Sequence, residues 1–139
     1  MQHRKIAFIG AGNMTRSIIS GLVSNAYPAH LITASNPSIG KLNALQADFA
    51  INVTQDNKNA VDISDVIVLA VKPQLMQQVC AKLAEEQNLD GKIFVSIAAG
   101  IPTTRLQQML GGAFPIIRTM PNTPSTLGKG MTGLFADIN

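Results

Sequence analysis

Short, unbroken apolar runs alternate with helix-spaced segments along almost the whole chain, and this alternation constrains the fold more than any other feature. Ile6–Ile9 is the first run, closed by Gly10. Asn13–Ser24 follows, with Met14, Ile18, Ile19, Leu22 and Val23 at helical spacing. Further strands are expected at residues 31–34, 51–53, 66–70, 93–97 and 115–119, with one more at 130–136. Helical pieces are expected between them at residues 38–47, 56–61 and 74–86 and at Thr103–Leu110, the last begun after Pro102. Continuous apolar strands separated by helices argue for strands buried on both faces. The expected fold class is α/β: Rossmann-like and doubly wound, a mostly parallel sheet with helices on both faces.

Composition supports a folded domain and narrows its partners. The 139 residues suit one domain, and 46% hydrophobic against 14% charged residues allows a core. So sparse a charge leaves apolar surface for a partner chain or a further domain. The net charge of +3 comes from 11 Lys and Arg spread along the chain, densest at Arg4 and Lys5 beside His3. With no Trp and one Tyr, there is no aromatic–basic interleaving, so no nucleic-acid partner is expected. Cys80 is the one cysteine and reads as a small buried residue. No disulfide can form within the chain, and no metal site is expected. The first apolar run is too short for a secretory signal, and residues 66–71 fall far short of a membrane span. The protein therefore reads as cytoplasmic with no membrane partner. The chain stops at Asn139 without a capping helix, and the expectation is one nucleotide domain, residues 1–139, lacking a second domain.

The turn Gly10-Ala11-Gly12-Asn13-Met14-Thr15 leaves a strand and opens a helix, as a dinucleotide fingerprint requires. Gly10 would allow the tight turn, and Gly12 would let the backbone approach a pyrophosphate. The helix N-terminus would hold the anion. Thr15 occupies the place of the third glycine, where it either loosens helix–strand packing or bonds locally through its hydroxyl. An ordinary glycine turn is the plain alternative.

NAD-specific domains usually carry an acid after the second strand. Here no acidic residue precedes Asp48, and the stretch Ser35-Asn36-Pro37-Ser38-Ile39-Gly40-Lys41 offers hydroxyl and amide groups and one cation. This favours NADP(H), with NAD(H) as the second candidate. Ser38 can equally serve as a helix cap. Arg16 is either a further phosphate contact or a solvated side chain.

Three more segments fall at the C-terminal ends of expected strands, where open α/β sheets bind ligands. They are Ala70-Val71-Lys72-Pro73, then Ser96-Ile97-Ala98-Ala99-Gly100-Ile101, then Arg118-Thr119-Met120-Pro121-Asn122-Thr123-Pro124. Each alone could be a simple connection, and Lys72 alone reads as solvated. Together they suggest one shared site.

In this order and spacing, the G-A-G-N-M turn, the V-K-P, the S-I-A-A-G-I and the R-x-M-P-N-T-P resemble the amino-terminal domain of pyrroline-5-carboxylate reductase, over essentially all 139 residues. The last motif is the most specific and the glycine turn the least. The resemblance implies reduction of 1-pyrroline-5-carboxylate to L-proline with NADPH or NADH, the last step of proline biosynthesis. It implies cofactor contacts from Ile9, Gly10, Ala11, Gly12, Asn13, Met14, Asn36, Asn57, Ala70, Val71, Lys72, Pro73, Ile97, Ala98 and Ala99. Ser35 joins them from the stretch above. The loop at residues 120–123, with Asn122 and Thr123, would lie beside nicotinamide and substrate. The family's carboxy-terminal helical domain makes a dimer and supplies much of the substrate pocket. The resemblance implies that the isolated fragment, without that domain, is inactive, and that the full-length protein is a homo-oligomer built on dimers.

A protonated cyclic imine is a good hydride acceptor, so the reaction needs positioning of the cofactor more than a strong base. No Ser-His-Asp or paired-carboxylate constellation stands out. His3 and His30 are the two histidines, and neither is placed to be a catalyst. Rival readings are the cofactor domain of a 3-hydroxyacid-type dehydrogenase, a non-catalytic NADP-binding module and a plain α/β scaffold.

Overall fold

A computed structural model describes residues 4–86, 89–98 and 100–118. Six strands form a single parallel sheet: β1 (Ile6–Ile9), β2 (Ile32–Ser35), β3 (Asn52–Thr54), β4 (Val66–Leu69), β5 (Ile93–Ser96) and β6 (Ile116–Arg118). Five helices connect them: α1 (Asn13–Ser24), α2 (Ile39–Phe49), α3 (Asn57–Asp62), α4 (Pro73–Glu86) and α5 (Thr103–Leu110). A 3-10 turn at Ala29–Leu31 leads into β2.

The strand order is β3-β2-β1-β4-β5-β6. Winding starts at β1, runs outward through β2 and β3, then returns to the far side of β1 at β4. The fold is therefore a doubly wound Rossmann-like sheet, with its switch point between β1 and β4. Register is direct: Ile9 stands beside Ser35 on one side and Leu69 on the other. The C-terminal ends of β1, β2 and β4 therefore lie level, and the loops that leave them meet.

Side-chain alternation explains why β1 carries no polar residue. Ile6 and Phe8 pack with Ile18, Ile19 and Leu22 of α1 and Leu42 and Leu45 of α2. Ala7 and Ile9 pack on the opposite face with Ala60 and Val61 of α3 and Met76, Cys80 and Leu83 of α4. Leu106 and Leu110 of α5 complete that second layer. A strand covered on both faces has no solvent side on which to place a polar group.

β2 departs from this pattern for a positional reason. Ile32 and Ala34 join the α1–α2 layer, while Thr33 and Ser35 are buried without joining either apolar cluster. The expected elements otherwise recur with small shifts at their ends. β2 starts and stops one residue later than expected, and α2 runs on to Phe49, where Ala50 caps it in the left-handed conformation at φ 59°. α4 starts at Pro73, whose missing N–H costs nothing in a first turn. The strand expected at residues 130–136 lies outside the described residues.

Among the described residues, no helix is long and apolar enough to cross a membrane.

Candidate cofactor site

The turn after β1 is held on three sides. Gly10 has φ 112°, a conformation that L side chains rarely adopt. Its N–H donates to the Ser35 carbonyl at 2.8 Å. On the other flank, Ala70 N–H donates to the Ile9 carbonyl at 2.9 Å. A Cβ placed on Gly10 would stand 2.6 Å from the Ala70 carbonyl oxygen. Only a residue without a side chain lets the loops from β1, β2 and β4 close on one another.

The third contact comes from Thr15. Its Oγ1 donates to the Gly10 carbonyl at 2.8 Å, and the residue is 1% exposed. Of the two behaviours the sequence left open, local bonding is the one adopted. The hydroxyl satisfies the carbonyl within the turn, and the buried polar group has a partner.

Gly12 is the N-cap of α1, in extended conformation at φ −80° and ψ −171°. It has no side-chain cap bond, and the first turn holds no acidic residue. The first N–H groups of the helix thus retain their donors and the positive end of its dipole. A Cβ on Gly12 would meet nothing within 4 Å, so the backbone here is open to close approach. Asn13 and Met14 are exposed beside it. These features fit a bound pyrophosphate: open backbone, free donors and no repelling carboxylate.

The neighbouring loops add polar groups. Ser35, a direct ligand contact on the sequence reading, is fully buried, and its Oγ donates to Asn57 Oδ1 at 2.6 Å. Asn36 is half-buried, its N–H donates to the Thr54 carbonyl at 3.2 Å, and its Nδ2 donates to the Ser38 carbonyl at 3.3 Å. Ser38 stands at the N-cap of α2 without a side-chain cap bond. Asp56 caps α3 by accepting from Lys58 N–H at 3.0 Å. Pro37, Gln55, Asp56 and Asn57 line one wall of a cavity of about 400 Å³, and Gln78, Val79, Lys82 and Leu83 of α4 line the other.

Ala70 and Val71 are half-buried at the switch point, and Lys72 and Pro73 are exposed. After β5, Ser96 Oγ accepts from Ala98 N–H at 3.3 Å, which bends the chain beside half-buried Ile97. Ile9 is buried, and its carbonyl accepts the Ala70 N–H. Ala99, Met120, Asn122 and Thr123 lie outside the described residues.

Arg16 points elsewhere. It pairs with Asp48 near the end of α2, and its guanidinium lies 5.1 Å from the centre of the Phe49 ring. It is neither solvated alone nor turned to the glycine turn. Its partners stand 32 and 33 residues further along the chain, beyond the reach of local sequence reading. Cys80 lies on the buried face of α4, and burial pushes its thiol up to about 11, away from reactivity.

Comparison with known proteins agrees with this geometry. A family model described as NADP oxidoreductase, coenzyme F420-dependent, matches residues 5–100. The chain is 53% identical over 139 residues to a pyrroline-5-carboxylate reductase of Vibrio alginolyticus, covering 100% of this chain and 51% of that protein. A reductase of the same name from Coxiella burnetii superposes with a TM-score of 0.84 at 38% identity, over 91% of this chain and 47% of that one. The Plasmodium falciparum pyrroline carboxylate reductase, with NADP bound, superposes with a TM-score of 0.76 at 27% identity, over 92% of this chain and 46% of that one. The chain spans about half the length of the curated relatives it matches. It belongs to the family of NADP oxidoreductases described as coenzyme F420-dependent.

Proposed function

We propose that this chain is the amino-terminal, cofactor-binding half of a pyrroline-5-carboxylate reductase, holding NADP(H) for reduction of 1-pyrroline-5-carboxylate to L-proline. The observation that carries the cofactor reading is the turn at Gly10, clasped between Ser35 and Ala70 where the sheet changes direction. The substrate reading rests on the reductases that align with the chain from end to end.

Each part of the rim then has a task. The open backbone at Gly12 and the first N–H groups of α1 bind the pyrophosphate. Asn36 and Asn57 bind the adenosine half, where the lack of any carboxylate before Asp48 favours a 2′-phosphate. Val71, Pro73, Ile97 and Ala98 border the nicotinamide end. The bound cofactor supplies hydride to the imine carbon, and the chain contributes orientation and shelter from water.

Met14, Ile39 and Leu75 are exposed by 38%, 51% and 45% in the first turns of three helices on this same rim. The rest of the reductase would cover them, completing a substrate pocket for the small imino acid. The full-length enzyme would assemble from dimers and work in the cytoplasm.

Titration of the chain with NADPH and NADH, followed by nicotinamide fluorescence, tests the cofactor reading. Saturable binding with NADPH the tighter ligand is expected, and binding of neither sinks it. Assay of the full-length protein tests the substrate. NADPH oxidation that depends on 1-pyrroline-5-carboxylate supports the reading, and turnover of a 3-hydroxyacid in its place refutes it.

A further inference from the structure

Ser35 ends β2 fully buried, so its side chain cannot touch a ligand. It nevertheless joins two of the loops that surround the cofactor site. Its carbonyl accepts the Gly10 N–H at 2.8 Å, and its hydroxyl donates to Asn57 Oδ1 at 2.6 Å. Asn57 is the first residue of α3, and it is half-buried beside Gln55 and Asp56 in the wall of the 400 Å³ cavity.

A carboxamide carries its acceptor and its donors on opposite arms of one plane. With Oδ1 taken by Ser35, the Nδ2 donors are turned away from Ser35. A buried hydroxyl without a partner is costly, so the bond is strongly favoured, and donation to Oδ1 gives the amide the orientation seen here. We infer that Ser35 is a positioning residue. Its hydroxyl fixes the Asn57 amide so that Nδ2 donates to an acceptor oxygen on the adenosine half of the dinucleotide, and its carbonyl ties that group to the turn at Gly10. This rests on the dinucleotide reading given above.

The Ser35–Asn57 pair is separated by 22 residues in sequence, and it links the strand end where NAD-specific folds usually carry an acid to the first turn of α3. Ser35 acts on dinucleotide binding through Asn57, without a contact of its own.

The test is NADPH titration of five proteins, the unaltered chain, Ser35→Ala, Asn57→Ala, Asn57→Asp and the double variant Ser35→Ala with Asn57→Ala, with thermal melts alongside. Ser35→Ala is expected to weaken binding about five- to tenfold, the factor one neutral hydrogen bond carries. In the Asn57→Ala background the same change is expected to weaken it by less than about twofold, because the two residues act as a unit. Asn57→Asp keeps an acceptor for Ser35 and removes the donors, so it should bind NADPH at least tenfold more weakly, about the loss of one such bond. Full NADPH affinity in Ser35→Ala or in Asn57→Asp overturns the inference, as do losses that multiply in the double variant. An unaltered chain that binds neither NADPH nor NADH fails the dinucleotide reading itself. An unaltered chain that binds, with a Ser35→Ala variant that binds equally well, fails this inference alone.

Discussion

Gly10 and Ala70 are in contact through backbone alone: a Cβ on the glycine would come within 2.6 Å of the alanine's carbonyl oxygen and 2.9 Å of its carbonyl carbon. The turn after β1 and the loop after β4 are thereby fixed against each other at the switch point. Gly10→Ala forces both a strained φ and a shift of neighbouring backbone, and should cost about 2–4 kcal/mol of stability in chemical denaturation. Gly12→Ala meets open space and should cost about 1 kcal/mol or less. Its methyl would stand where phosphate must approach, so NADPH affinity should fall at least about tenfold, a loss of roughly 1.4 kcal/mol. If Gly12→Ala binds NADPH normally, the phosphate does not sit there.

Thr15 stands where a strict fingerprint has glycine, and it repays the space with a bond to the Gly10 carbonyl. Thr15→Val keeps the shape and strands that carbonyl, with an expected loss of about 1–2 kcal/mol. Thr15→Ser keeps the hydroxyl and should lose less than about 1 kcal/mol. Urea denaturation of both variants gives the comparison, and equal losses would show that the methyl group matters more than the bond.

Arg16 joins α1 to α2 through Asp48 and Phe49, with the charged pair 44% and 47% exposed. An ion pair so exposed contributes less than about 1 kcal/mol. Arg16→Gln is therefore expected to lower the melting temperature slightly and to leave NADPH affinity within about twofold, under 0.5 kcal/mol. A loss of tenfold or more in the titration would restore Arg16 as a phosphate ligand.

Alkaline pH should destabilise the fold. Burial raises the Cys80 thiol from 9.0 to about 11, and burial raises the Tyr27 phenol from 10.0 to about 12. Each group contributes stability that is complete below its unfolded value and is lost as pH rises through the folded value. Between about pH 9 and pH 12 the unfolded chain ionises first, so stability falls with pH. Denaturation midpoints measured across that range check this. Cys80→Ala should flatten the part between about pH 9 and pH 11, and an unchanged slope would exclude the thiol as its source.

Elements whose surroundings are uniform are legible from local residue pattern. β1 and β4 are apolar runs because both faces of each strand meet helices, and α1 and α5 have the very bounds their periodicity predicts. The glycine turn was legible for the same local reason: strand, turn and helix N-terminus are contiguous in the chain. β2 was harder to delimit because Thr33 and Ser35 are polar yet buried, and their burial depends on the neighbouring strands and helices packed around them. The long-range partners of the polar side chains are set by the assembled sheet and its helices. Whether Ser35 touches ligand or Asn57, and whether Arg16 faces phosphate or Phe49, each depend on partners brought close by folding. Burial patterns follow from side-chain type repeated along the chain, which a sequence displays. A hydrogen bond needs two atoms within about 3 Å, and for residues far apart in sequence that separation exists only once the sheet is assembled.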